Sequence, residues 1–291
     1  MKIKFAVLSC FAALSGFAAT AQAADLDEML YAQELPMTQP VEIGSGWYLR
    51  GDLGYSLQTR GAATSYSIFN PGPPVSYTAG AFRDTSVNSD WSGSLGVGYN
   101  FTDYLRGDVT ADFTEGTFFG ATNSAAPCGG LALTGRCASV DKQGFKQFGI
   151  MANAYVDLGT FKGFTPYVGA GAGMTRVRWG TLNSDQRCIS VPGNVCTGAA
   201  TDTSSPGEKS WRFTYALMAG FSYDLSKDLK LDLGYKYSKI KSGDQFGYDA
   251  ATTAAGATGI QAKDDGFAKH EVRVGLRDRK SACRERVFRA V

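Results

Sequence analysis

The sequence predicts an all-β fold, an antiparallel up-and-down barrel of about eight strands that crosses a membrane. Three observations predict it: an export signal at the N-terminus, runs in which apolar and polar residues alternate, and a regular succession of short and long connections between those runs.

The N-terminus sets the compartment. Lys2 and Lys4 precede an apolar stretch from Phe5 to about Ala19, and Ala21-Gln22-Ala23 places small residues where a signal peptidase needs them. Residues 1–23 therefore read as a cleaved signal peptide. A first transmembrane helix is the weaker reading, because the run falls short of the roughly 20 residues that span a bilayer. A lipoprotein reading at Cys10 fails on the residue before it, Ser9, and on the short apolar stretch upstream. Residues 24–45 are polar, carry Pro36 and Pro40, show neither helical nor strand period, and read as a flexible periplasmic lead-in.

Alternation begins at Trp47. The first run sets Trp47, Leu49, Leu53, Tyr55 and Leu57 against Tyr48, Arg50, Asp52 and Ser56. A second, 91–101, sets Trp91, Leu95, Val97, Tyr99 and Phe101 against Ser92, Ser94 and Asn100; a third sets Leu105, Val109, Ala111 and Phe113 against Arg106, Asp108, Thr110 and Asp112. The fourth places Phe148, Ile150, Ala152, Ala154, Val156 and Leu158 opposite Gln147, Asn153 and Asp157. In the fifth, 164–179, the segment Tyr167-Val168-Gly169-Ala170-Gly171-Ala172-Gly173 is too rich in small residues to assign its faces. The sixth sets Trp211, Phe213, Tyr215, Leu217, Phe221, Tyr223 and Leu225 against Arg212, Thr214, Ser222 and Asp224. The seventh sets Leu229, Leu231, Leu233, Tyr235 and Tyr237 against Lys230, Asp232 and Lys236; the eighth, 267–277, sets Val272, Val274 and Leu276 against Lys269, Glu271 and Arg273. Most runs reach the roughly 9–11 residues that a tilted strand needs to cross a bilayer.

The connections decide between architectures. Thr102-Asp103, the Gly159–Gly163 stretch and Ser226-Lys227-Asp228 are short, whereas 58–90, 115–144, 180–210 and 239–266 are long and rich in Gly, Ser, Thr, Pro and Ala. A soluble β-sandwich explains the strands but not this rhythm; a barrel with tight periplasmic turns and long extracellular loops explains both. The composition agrees, since 36 Gly, 14 Tyr and 18 Phe suit a wall with aromatic girdles and a crowded lumen.

Charge excludes one class of partner. Without Lys2 and Lys4, the 29 basic residues fall level with the 27 acidic ones, so no basic footprint for nucleic acid remains. Of the six cysteines, Cys10 leaves with the signal and Cys283 lies in the tail. Cys128, Cys137, Cys188 and Cys196 permit three pairings, and their spacing favours the local ones, 128 with 137 and 188 with 196. The oxidising periplasm favours disulfides, each worth roughly 3 kcal/mol less any strain. Zinc is the poorer reading, for lack of a neighbouring histidine or C-x-x-C spacing.

The inward face carries both signs of charge: Arg50, Asp52, Arg106, Asp108, Asp112 and Arg212, then Lys230, Asp232, Lys236, Lys269, Glu271 and Arg273. A barrel of about eight strands is just wide enough for side chains to fill. These charges are therefore expected to pair into a plug, with a conducting pore as the alternative. Glycines at 169–173 and at Gly93, Gly96 and Gly98 only loosely resemble a nucleotide-binding loop, because neither group opens an amphipathic helix. His270, the only histidine, falls on the lipid side, and no serine or acid can be set beside it as a hydrolase would require. No catalytic residue, cofactor or metal is predicted.

Ser45-Gly46-Trp47-Tyr48-Leu49-Arg50-Gly51-Asp52-Leu53-Gly54-Tyr55 resembles the opening strand of the opacity and porin-like small outer-membrane proteins. Tyr167–Gly173, Leu231-Asp232-Leu233-Gly234-Tyr235-Lys236-Tyr237 and His270-Glu271-Val272-Arg273-Val274-Gly275-Leu276-Arg277 resemble later strands of that family, nearest the alphaproteobacterial outer-membrane surface antigens. The resemblance implies an eight-stranded barrel over 46–277 with a role in envelope integrity and surface contact, and no active-site residue. The partners it implies are outer-membrane lipid and lipopolysaccharide, the barrel-assembly machinery, and host or environmental surfaces. The alternatives are a small diffusion porin and, less favoured, a lipid-modifying barrel enzyme. One departure stands out. Barrels of this family end on an aromatic residue, whereas here Arg277 is followed by Asp278-Arg279-Lys280-Ser281-Ala282-Cys283-Arg284-Glu285-Arg286. Residues 278–291 therefore read as an atypical, non-native tail that predicts impaired insertion.

Overall fold

A computed structural model describes residues 46–61, 64–89, 91–124, 136–193, 200 and 202–279. The predicted signal peptide, the predicted lead-in 24–45, Cys128, Cys196 and the tail from 280 onward lie outside the described residues.

Period-two alternation becomes strand wherever it occurs, because an alternating segment hides its apolar set only by pairing along a sheet. In chain order the strands are β1 (Trp47–Gly61), β2 (Thr64–Asn70), β3 (Ser76–Ala81), β4 (Asp84–Asn88), β5 (Trp91–Asn100), β6 (Leu105–Ser124) and β7 (Arg136–Asp157). They continue as β8 (Phe164–Ile189), β9 (Thr203–Ser205), β10 (Lys209–Asp224), β11 (Leu229–Ile240), β12 (Gly243–Gly247), β13 (Ile260–Asp264) and β14 (Phe267–Arg279), with one short helix, α1 (Ala250–Ala254). The predicted runs are β1, β5, β6, β7, β8, β10, β11 and β14. Each pairs antiparallel with the next, and β14 pairs back onto β1, with Leu53 opposite Val274, so the ring closes. Closure leaves no free edge among these strands, which a bilayer requires of any β structure.

The ring has the predicted sides. Leu53, Trp91 and Leu95 are 66–67% exposed on the outside, whereas Tyr48 and Arg106 are 1% exposed within. Burial also settles the faces of β8: Thr165, Tyr167, Thr175, Val177 and Trp179 point inward, so Gly169, Gly171 and Gly173 share the lumen side. The neighbouring strand explains those glycines, since a Cβ at Gly169 would meet the Tyr155 ring of β7. Gly98 is likewise opposite Tyr48 and leaves room for its ring, and Gly220 and Gly234 make room for the Tyr167 hydroxyl.

The long connections depart from expectation. Instead of loops they are mostly strand: β6, β7 and β8 run on to Ser124, back to Arg136 and on to Ile189, and β4 and β9 pair onto the extended parts of β6 and β8. The first and fourth connections build a second sheet in the order β12-β13-β2-β3. The physical reason is a phase change in the alternation. Within the membrane band the outward residues are apolar, but beyond it Phe118, Phe145, Val177, Trp179 and Leu182 turn inward while Lys142, Lys146, Arg176 and Arg178 face out. The strand persists while its polarity inverts, because the outer solvent changes from lipid to water. At the other end β14 continues to Arg279, whose N–H donates to the Asp228 carbonyl at 2.7 Å, two residues past the predicted limit at 277.

Replacing Gly98 with Val is expected to dislodge Tyr48 and lower stability by about 1–3 kcal/mol. The temperature at which the unboiled, fast-migrating gel band converts to the unfolded one should fall, and Tyr48→Ala in the same chain should restore part of the loss.

Candidate functional site

The lumen is where the chemistry-bearing side chains converge. Nearest the short turns, Arg106 Nε donates to both Asp157 oxygens at 3.1 and 3.2 Å while its guanidinium lies 4.0 Å from the centre of the Tyr155 ring. Arg277 donates to Asp232 at 3.2 Å and to Ser222 at 2.8 Å. One level up, Arg50 binds both oxygens of Asp52 and reaches over β5 to Asp108 at 2.8 Å and the Tyr155 hydroxyl at 2.9 Å. Asn153 and the Tyr48 hydroxyl donate to the same Asp108 carboxylate, and Ser94 to Asp52.

In the next level Asp112 accepts from Lys236 and from Arg273, each at 3.0 Å, tying β6 to β11 and β14 across the ring. Glu271 takes Lys269 at 3.2 Å and Arg273 at 3.5 Å. Desolvating an ion costs several kcal/mol, which only close partners return. The cations of the lumen all have such partners. The voids left between them are about 20 and 30 Å³, room for one or two waters.

Above these levels the lumen is closed by rings. Phe145, Trp179 and Phe267 lie 5.1–5.7 Å from one another, with Phe118 against Trp179 and with Val87, Val177 and Ile240 buried among them.

The predicted network residues are thus brought together with two exceptions. Lys230 stands at the mouth on the turn side, paired with Asp224 at 2.7 Å and 22% exposed at its side chain, because its position is too near the strand end to be enclosed. Arg212 is buried but pairs upward, with Asp264 of β13 at 2.7 Å and the Asp244 carbonyl at 2.8 Å. Burial pushes the Asp264 carboxyl above its ordinary range, opposed by Arg212. Sequence reasoning missed Asp157, Arg277 and Asp264 as network members. The first two lie on the polar faces of their strands and could have been read from parity; Asp264 lies in a long connection with no such signal. The aromatic closure also went unread.

On the outside, His270 sits between Tyr235 and Tyr237, its Nδ1 hydrogen-bonded to the Tyr235 hydroxyl. Aromatic pairs mark both edges of the apolar band: Trp47 with Tyr99 at the turn end, Tyr55 with Trp91 at the far end. Between those edges β1 spans the nine residues from Trp47 to Tyr55, within the span a tilted strand needs. Cys137 and Cys188 are register partners on β7 and β8, beyond that band.

An antiparallel closed ring, apolar outside and ion-paired inside, defines an integral β-barrel of the bacterial outer membrane. The model of the outer membrane protein β-barrel domain matches residues 9–276, and the chain belongs to that family. An uncharacterized protein of Brucella suis biovar 1 is 37% identical over 288 residues, covering 94% of this chain and 96% of its own. A putative adhesin of Rickettsia bellii is 27% identical over 235 residues, covering 79% of this chain and 86% of that one. Among solved structures, Neisserial surface protein A is similar with a TM-score of 0.41 and 16% identity, over 81% of this chain and 99% of that one.

Asp112→Leu removes the anion shared by Lys236 and Arg273 and is expected to cost about 3–5 kcal/mol. Adding Lys236→Met and Arg273→Met should recover most of it, since apolar residues of similar size replace a buried pair at little loss. Urea unfolding in detergent micelles measures both.

Proposed function

We propose that this barrel is a structural, non-conducting and non-enzymatic component of the outer membrane whose extracellular β extension presents a surface for adhesion or recognition. The carrying observation is the ion-paired lumen closed by Phe118, Phe145, Trp179 and Phe267. Outer-membrane lipid and lipopolysaccharide are its neighbours in this reading, the barrel-assembly machinery inserts it, and host or environmental surfaces are met by the extension.

The form of the extension supports the adhesive part. Instead of long flexible loops it is a four-stranded sheet beside prolonged wall strands, with buried clusters of its own, so contact residues are held before a partner arrives and less ordering entropy is lost on binding. Ile68, Val75 and Tyr77, in the β2–β3 hairpin, are exposed apolar residues of the kind that anchor interfaces. Relatives described as putative adhesins point the same way. Against a lipid-modifying enzyme stands the setting of His270, whose ring partners are two tyrosines.

The local disulfides belong to this reading as staples of the outer tips. Peptide mapping without reduction is expected to recover 128 linked to 137 and 188 linked to 196. A 137–188 cross-link, which the register of β7 and β8 permits in sequence position, would replace that assignment.

Planar-bilayer recording separates the plug from the porin. The folded protein is expected to show almost no steady current, and a stable ohmic conductance would establish the porin instead.

A further inference from the structure

Where the outward polarity inverts, the register aligns two rows of side chains across β6, β7, β8 and β10. The lower row is Phe113, Phe148, Arg176 and Trp211, and the row above it is Glu115, Lys146, Arg178 and Lys209. All four of the upper residues are exposed, and directly opposed residues stand only about 5 Å apart at their Cα atoms. Lys146 is paired with Glu115 at 2.7 Å. Among the described residues Arg176, Arg178 and Lys209 have neither an ion pair nor a side-chain hydrogen bond. Like charges set side by side on one sheet face repel. With Glu115 committed to Lys146, these three cations leave this face with surplus positive charge.

Position identifies the source of the balancing anion. Arg176 lies between Phe148 and Trp211, whose ring centroids are 6.4 Å apart at the loop end of the apolar band, and Arg178 and Lys209 lie two residues further along their strands. Aromatic rings of this kind mark the headgroup level, so these cations face the headgroups of the outer leaflet. A groove of about 860 Å³ runs beside them, bounded by Lys146, Arg176, Arg178, Lys209 and, as its other carboxylate, Glu208. Guanidinium groups match phosphate oxygens two at a time, whereas acyl chains suit the apolar wall beneath.

We infer that Arg176, Arg178 and Lys209 form a binding site for a phosphorylated glycolipid headgroup of the outer leaflet, the phosphates of lipid A, with the acyl chains lying along Phe113, Phe148 and Trp211. The inference rests on the membrane placement of the proposed function and gives its lipid partner a defined address. It does not depend on whether the lumen conducts.

The test is native mass spectrometry of the full folded barrel in dodecyl maltoside, titrated with bis-phosphorylated lipid A, with its dephosphorylated form, and with inorganic phosphate as competitor. Retention of the phosphorylated lipid is expected. The triple variant Arg176→Gln, Arg178→Gln, Lys209→Gln should lose about tenfold or more in affinity, the scale of a lost charge-assisted contact. The dephosphorylated lipid should bind the native chain no better than the phosphorylated lipid binds the variant. Should the triple variant fail to migrate as a folded barrel, Arg178→Gln alone carries the comparison. Equal retention by native and variant chains would overturn the site, as would full competition by millimolar inorganic phosphate, which would assign it to the free anion. A stable bilayer current from the native protein would overturn the non-conducting reading while leaving this result intact.

Discussion

Everything in this barrel depends on how charge is neutralised inside a ring too narrow for bulk water. The strand number leaves a lumen that only side chains can fill, and the inward positions of β1, β6, β11 and β14 fill it with Arg, Lys, Asp and Glu. A guanidinium there without an anion would retain most of its desolvation cost, so the pairs act as a set: Arg50 needs Asp52 and Asp108, and Asp112 serves Lys236 and Arg273 together. These bonds also reach across the ring, tying β6 to β11 and β14, with neither of which β6 shares a backbone ladder. Inward glycines belong to the same constraint. The rings of Tyr48, Tyr155 and Tyr167 lie along the wall only because Gly98, Gly169 and Gly234 leave them room.

Two solvents act on the same strands, and that explains which parts of the fold were legible in the sequence. Between Trp47 and Tyr55, or Leu105 and Phe113, the outside is lipid and the alternation reads apolar-out, so the faces of β1, β5, β6, β7, β10, β11 and β14 follow from parity alone. Beyond Phe148 on β7 the outside is water and the apolar set moves inward to Phe145; on β8 the same exchange sets Val177 and Trp179 against Arg176 and Arg178. A search for continued apolar-out alternation ends there, and the remaining strand looks like loop. The faces of β8 were unreadable because Gly and Ala alternate over 169–173, where side-chain size carries no sign; the Tyr155 and Tyr167 rings set them instead.

The lumen site was legible as composition and only partly as pairing. Strand parity put Arg50, Asp108, Asp112, Lys236, Glu271 and Arg273 on one face, but who meets whom depends on stagger around the ring, which one-dimensional pattern does not contain. Lys230 shows the converse limit: the same parity placed it inward, yet at the strand end that direction leads to the open mouth, where 22% of its side chain stays in contact with solvent. Arg212 has the right parity and burial, but its anion comes from β13, a short strand in a connection with little period of its own.

That last pair carries the remaining step. Arg212 is on a wall strand and Asp264 on the outer sheet, both side chains almost wholly buried, and the Arg212 guanidinium lies 5.8 Å from the centre of the Phe267 ring that closes the lumen. A hydrogen-bond chain runs beside it from Thr64 through Gln245 and Gln143 to the Gly180 carbonyl, joining β2, β12, β7 and β8. The outer sheet is therefore anchored by buried polar bonds to the strands that cross the membrane. Loosening the extension would leave Arg212 as an unpaired buried cation above the plug, so the exposed surface and the closed lumen are stabilised together. An exposed face built this way keeps its shape because the barrel beneath it is filled.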